Sequence, residues 1–350
     1  MTREEKIQLL RELSLEFGPT GCENRVADRI KAKLDKLNVE YRTDKLGNLI
    51  ARIPKENAPR LMMSAHMDEV GFIINEISED GYLKFLTVGG IDPRVLCSKH
   101  VTVEGKNGLL PGVIASKAIH HQTPDERTRV TPISSMYIDI GAKSREEAEA
   151  MTGIGYYATF DSEFVVFGEK GDFIKGKAID DRLGCAVMLD IIERLGENVP
   201  FDLYFCFTVR EEIGVSGART VAQSIDPDFA VILESTAVAD IPDVPESRRV
   251  AKLGQGGAIS LMDNSTIYSK DFVNFAMNLA KEKGIAAQIK QYVSGGNDAG
   301  VIHKANDGVR CLTISAPSRY IHSPANVVSA DDYLSIADLA LAIVENGNDL

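Results

Sequence analysis

Apolar and polar positions change rhythm along the chain. Ile7, Leu10, Leu13 and Phe17 recur at helical spacing, as do Val26, Ile30, Leu34 and Leu37, which predicts two amphipathic helices near the start. Leu46–Ile53 reads as a turn and strand, and Leu61–Ala65 as a short, largely apolar strand. From about Glu69 to Phe167 the texture becomes a series of short β-type runs, Val70–Ile74, Tyr82–Val88, Val101–Val103 and Val113–Ile114. Asp80-Gly81 and Asn107-Gly108 between them are hairpin-turn signals. After Gly176 helices and strands alternate again. Leu183, Val187, Ile191 and Leu195 are spaced by four along one helix, and a last helix opens at Ser329 with Asp332 three residues on, a variant of the capping box. The pattern predicts an α/β domain formed by residues 1–68 and 168–350, interrupted by a small β-barrel-like domain at 69–167.

Four apolar runs each lead into a side chain that can bind a transition metal. Leu61–Ala65 runs into His66 and Asp68, Leu203–Val209 into Glu211 and Glu212, and Phe229–Leu233 into Glu234. Cys311–Ile314 is followed, after a short Pro-containing loop, by His322. Runs of this length suit buried parallel strands, whose carboxyl ends are where open α/β sheets place their sites. A ligating imidazole usually donates its other N–H to a carboxylate, a role open to Asp68 beside His66. Adjacent Glu211 and Glu212 project oppositely on extended chain, so one can bind metal while the other handles a proton.

Each residue has an ordinary alternative. His66-x-Asp68 can be a solvated strand end, Glu211-Glu212 an acidic turn, and Glu234 a partner of Arg182 or Arg210. Asp180, next to Asp181 at a predicted helix start, can simply cap it, and His322 can be a satisfied loop histidine. Convergence of five such ends on one sheet edge favours a metal site.

Composition narrows the rest. The net charge of −12 argues against a nucleic-acid backbone as partner. No apolar run approaches the ~20 residues needed to span a bilayer, and the charged start Met1–Lys6 lacks a signal-peptide core, so a cytoplasmic protein without membrane contact is expected. The five cysteines form no C-x-x-C pair and read as reduced packing residues.

The segments S-A-H-M-D-E-V-G-F, G-G-I-D-P-R-V-L, G-K-A-I-D-D-R-L-G-C, V-R-E-E-I-G-V-S-G-A, G-N-D-A-G and R-Y-I-H-S-P occur in this order from Ser64 to Pro324. Together they resemble the M42 family of dinuclear metalloaminopeptidases, the tetrahedral and glutamyl aminopeptidases, some of which carry cellulase names. The resemblance runs end to end. It implies a zinc-peptidase-like mixed sheet flanked by helices, with the inserted β-rich domain serving assembly. Residue by residue, it implies that Asp180 bridges two divalent ions, with His66 and Glu234 on one and Glu212 and His322 on the other. Glu211 falls on the general base, Asp68 on the partner of His66, and the Asp180–Asp181 bond on a cis peptide. The position of Glu234 is Asp in some members, which changes that ligand's reach. Zinc, with cobalt or manganese as substitutes, short peptides with a free amino terminus, and a large homo-oligomer, commonly a dodecamer, are further implications. A deacylase or carboxypeptidase on the same scaffold, a glycoside hydrolase using two of the carboxylates, and a non-catalytic assembly protein are the rival readings.

Overall fold

The computed structural model describes residues 1–196 and 199–347. Among these, eleven strands form one mixed sheet and six close into a separate barrel. The first helix, Arg3–Leu15, opens on a capping box between Thr2 and Glu5 and buries Leu9, Leu10 and Leu13. The second, Asn24–Lys36, buries Val26, Ile30 and Leu34. Phe17 and Leu37, read from the sequence as the ends of these stripes, lie just past the two helices. No described helix is long and apolar enough to cross a membrane.

The four apolar runs are four adjacent strands. Asp202–Thr208, Arg60–His66, Phe229–Ala237 and Arg310–Arg319 lie side by side and all parallel, so their carboxyl ends share one edge. Their side chains are buried on both faces because helices cover them, which is why they read as continuous apolar runs instead of alternating ones. Antiparallel strands flank this core, Leu49–Ile53 on one side and Asn326–Ser329 on the other.

Two expectations change here. Phe229–Ala237 and Arg310–Arg319 pair with each other from Phe229–Arg310 to Ala237–Ser318, so Glu234 lies inside a strand, not at its end. Pro317 likewise belongs to the strand and not to a loop before His322. A missing N–H is tolerated there because Pro317 falls where the antiparallel neighbour changes, from Gly257–Ile259 at Ser315 to Asn326–Ser329 at Ser318.

The barrel is built from Gly71–Ile77, Leu83–Val88, His100–Gly105, Gly108–Ala115, Tyr137–Asp139 and Tyr157–Phe160. It has its own core, in which Phe72 meets Phe85 and Phe160 edge to face at 5.0 and 5.3 Å. Gly105 pairs with Gly108, so the second hairpin turns on Lys106-Asn107, one residue earlier than the sequence suggested. Val165–Phe167, expected within the insert, pairs with Phe173–Gly176 at the edge of the large sheet.

Candidate metal centre

His66 is the last residue of its strand and registers with Thr208. The neighbouring strand pairs Ile232 with Ser64, which carries Glu234 to the level of His66 on the same face. Glu211 and Glu212 follow the Asp202–Thr208 strand after Arg210, whose φ is 57°. His322, also at φ 57°, stands in the turn after Arg310–Arg319. Asp180 comes from the start of helix Ile179–Arg194, where Asp180 and Asp181 depart from helical dihedrals. The Asp180–Asp181 peptide is cis, as the resemblance implied.

These side chains meet as two clusters that share Asp180. His66 Nε2 lies 3.5 Å from Asp180 Oδ1 and 3.6 Å from Glu234 Oε1. His322 Nε2 lies 3.3 Å from both Asp180 Oδ2 and Glu212 Oε1. Each oxygen of Asp180 therefore faces a different imidazole. Ligand atoms roughly 2.0–2.2 Å from a tetrahedral ion are about 3.3–3.6 Å apart, the spacing seen here. Among the described residues Asp180 Oδ1 and Glu212 Oε1 are buried without a hydrogen-bond partner, a cost that a cation would remove. The donor set of imidazoles and carboxylates suits a divalent transition metal. Asp181 also lies within reach of His66 and Glu234, but its carboxylate accepts from the backbone amides of His66 and Gly184.

Both imidazoles are oriented from behind. His322 Nδ1 meets the carbonyl of Gly90 at 2.7 Å, and His66 Nδ1 the carbonyl of Asp68 at 3.1 Å, which leaves each Nε2 for the centre. The Asp68 carboxylate is 3.4 Å from the same His66 nitrogen and does more than pair with it. It accepts from the amides of Glu211 and Glu212 at 3.1 and 3.2 Å and from the Thr20 hydroxyl at 2.8 Å. One buried aspartate thus holds the strand that carries His66 against the turn that carries both glutamates.

The protonation pattern follows from burial and the crowding of charge. Burial pushes Glu234 up to about 8, with Asp180 adding to the rise, and Glu212 up to about 7. Glu211 stands well above the usual carboxylate range through burial and the nearby charges of Glu234 and Glu212. For Asp180 burial opposes ionisation, but contact with His322 and His66 holds it below the usual range. Burial would lower both histidines, yet the carboxylates around them win, taking His322 up to about 9 and His66 well above its ordinary value. Without cations, buried acids of one sign keep protons.

A cavity of about 400 Å³ opens on this centre, lined by Glu211, Glu212, Glu234, His322, Ser235, Thr236 and the Ser294–Gly296 loop. Arg182 pairs with Glu69, and among the described residues Glu234 has no Arg or Lys within ion-pair distance, so the alternative of an arginine partner is not realised. Sequence reasoning missed Asp298, buried beneath the centre, where one oxygen accepts from Ser64 and Thr208. It also missed the buried Glu69 and Lys177, and gave Arg182 to Glu234 where the structure pairs it with Glu69. Lys177 and Arg182 flank the Asp180-Asp181 pair within four residues, a signal legible only once a carboxylate partner is known.

A peptidase is the class this fold and centre define. The family model described as M42 glutamyl aminopeptidase matches residues 47–339. The chain belongs to that family of metal-dependent hydrolases acting on peptide bonds. It is 36% identical over 332 residues to a putative aminopeptidase of Acetivibrio thermocellus, covering 95% of this chain and 96% of that one. The TET aminopeptidase from a marine sediment archaeon, Thaumarchaeota archaeon SCGC AB-539-E09, superposes with a TM-score of 0.94 at 36% identity, covering 98% of this chain and 96% of that one. The TET1 peptidase of Pyrococcus horikoshii, described as assembling into a tetrahedron or a large octahedral shell, superposes at 0.87 with 31% identity, covering 97% and 99%.

Proposed function

We propose that this chain is a dinuclear metal-dependent aminopeptidase that removes residues from short peptides with a free amino terminus. The observation that carries this reading is the sharing of Asp180, one oxygen toward His66 and the other toward His322. On this reading His66, Asp180 and Glu234 hold one ion, and His322, Asp180 and Glu212 the other. Zinc fits the mixed ligands, with cobalt or manganese as substitutes. Such ions supply Lewis acidity at the scissile carbonyl. Glu211, lining the cavity and left out of both clusters, takes the proton of the attacking water and passes it to the departing amine nitrogen. Asp68 keeps Glu211 and Glu212 in place through their amides. The carboxylates around the cavity provide counter-charge for the substrate ammonium.

A carboxypeptidase would need a free arginine for the substrate carboxylate. Of the arginines nearest Asp181 and His322 in the chain, Arg182 is engaged with Glu69 and several carbonyls, and Arg319 with Asp240 at 2.7 and 3.0 Å. Similarity to the Pyrococcus TET1 assembly supports a large homo-oligomer, which we take to be a dodecamer. We assign assembly to the inserted β-rich domain, whose last barrel strand ends at Phe160. We place it in the cytoplasm. The deciding experiment is hydrolysis of Leu-, Glu- and Lys-anilides with and without chelator, beside amino-terminally acetylated peptides. Chelator-sensitive cleavage of free-amine substrates alone is expected. Cleavage that survives chelation, or proceeds equally on acetylated peptides, would overturn the reading.

A further inference from the structure

We propose that Glu69, Lys177 and Arg182 form a buried clamp that positions the metal centre, with Glu69 as its positioning residue. This rests on the assignment of His66 and Asp180 as metal ligands. Glu69 directly follows Asp68, while Lys177 and Arg182 bracket Asp180, so the clamp joins the two chain segments that carry these ligands. Lys177 Nζ donates to both oxygens of Glu69 at 2.7 and 2.9 Å, and Arg182 Nη2 donates to one of them at 3.2 Å. All three side chains are buried.

External ties matter because regular structure stops short of both Asp68-Glu69 and Asp180. The His66 strand stops at His66, and residues 178–181 precede the regular part of their helix, with Ala178 left-handed and both aspartates non-helical. Asp180 therefore has no ladder of repeating hydrogen bonds to fix it. Arg182 compensates with Nε to the carbonyl of Met67, the residue between His66 and Asp68, at 2.6 Å. Its remaining donors reach Leu13, Glu16 and Gly18 carbonyls, and the third Lys177 donor reaches the Glu16 carbonyl, so both cations are fully satisfied. Thr159, on the last barrel strand, donates to the second Glu69 oxygen at 2.7 Å. The clamp is thus also where the barrel touches the His66 side of the centre.

A buried ion pair gives little net stability but costs much when one partner is removed, so a structural role must be separated from positioning. The same helix provides the control. Lys6 and Asp190 form another buried pair, at 2.8 Å, ten residues along from Asp180. Purified protein is stripped of metal and titrated with Zn²⁺ or Co²⁺ against a chromophoric chelator, below the melting temperature of every variant. Direct partners of metal ligands contribute roughly 10- to 100-fold in affinity, and the clamp acts one contact further out, so Glu69→Gln and Lys177→Met should weaken at least one ion by about 10-fold. Lys177→Arg should recover part of it, and Thr159→Val, which leaves the ion pair intact, should show a smaller loss. Lys6→Met and Asp190→Asn should lower the melting temperature without that change in affinity.

Equal weakening by the Lys6 and Asp190 variants would overturn the proposal, as would wild-type affinity in Glu69→Gln. If Glu69→Gln does not fold, unchanged affinity in both Thr159→Val and Lys177→Met overturns it. Wild-type protein that binds neither ion would instead refute the metal reading on which the clamp rests.

Discussion

His66 stands at the end of a central parallel strand with its side chain 2% exposed, whereas His322 sits in a left-handed turn with 32% of its side chain open. Strand register alone brings Glu234 level with His66. Local contacts do the same work for the other cluster, the Gly90 carbonyl behind His322 and the Asp68 carboxylate under Glu212. The lesson is that a rigid sheet can pre-set one half of such a centre, while the more open half is assembled from turns and depends on their hydrogen bonds.

Metal removal tests this contrast most strongly. Dialysis against a chelator should abolish anilide hydrolysis, and metal analysis should show the ion on the His322 side leaving first, with activity restored by added zinc. Simultaneous loss of both ions would erase the distinction between the halves. Next in size, Glu211→Gln should retain both ions and lose about 10²- to 10⁴-fold in kcat, the usual contribution of a general base. Unchanged kcat would remove Glu211 from its assigned role.

The pH dependence separates loaded from stripped protein. Glu212, Glu234 and His322 are raised to about 7, 8 and 9, so each binds its proton more tightly folded than unfolded. That contribution to stability is complete below the unfolded values, 4.5 for the glutamates and 6.5 for the histidine, and is lost as pH rises through the folded ones. Stripped protein should therefore melt at progressively lower temperature from about pH 5 to 9, while ion affinity grows as the ligands lose protons. The gap in Tm between the two forms should widen over this range; a constant gap would contradict it.

The smallest effect concerns one glycine. Gly89 has φ 84°, and a Cβ there would come within 2.7 Å of Val70 and 3.3 Å of the Glu212 Cβ. Gly89→Ala should cost about 1–3 kcal/mol through overpacking, measured by chemical denaturation, and weaken the His322-side ion more than the other. Equal weakening of both ions would show that the halves are not independently built.

Much of the strand-held half was legible in the chain. Leu61–Ala65 and Phe229–Leu233 could be recognised as buried strands because they are apolar without alternation, and the residues after them pointed to the centre. The turn-held half was legible only as motifs, since nothing in Arg319–Pro324 says that Gly90, far away in sequence, will accept from His322. Asp68 was read as a partner of one histidine, but its larger part, receiving the amides of Glu211 and Glu212, depends on strands being adjacent. The length of Phe229–Ala237 and the strand character of Pro317 were hidden for the same reason, because pairing carried both strands past their apolar runs.

By itself the sequence determined the kinds of element, the candidate ligands and their order, because periodicity and side-chain chemistry are local properties. Tertiary structure decided which oxygen of Asp180 faces which imidazole, which carbonyl orients each histidine, and that Glu69 ties Lys177 and Arg182 together behind the aspartates. Apart from the His66–Asp68 contact, these join residues more than a hundred positions apart. They exist only after parallel strands and a closed barrel have fixed those segments in space.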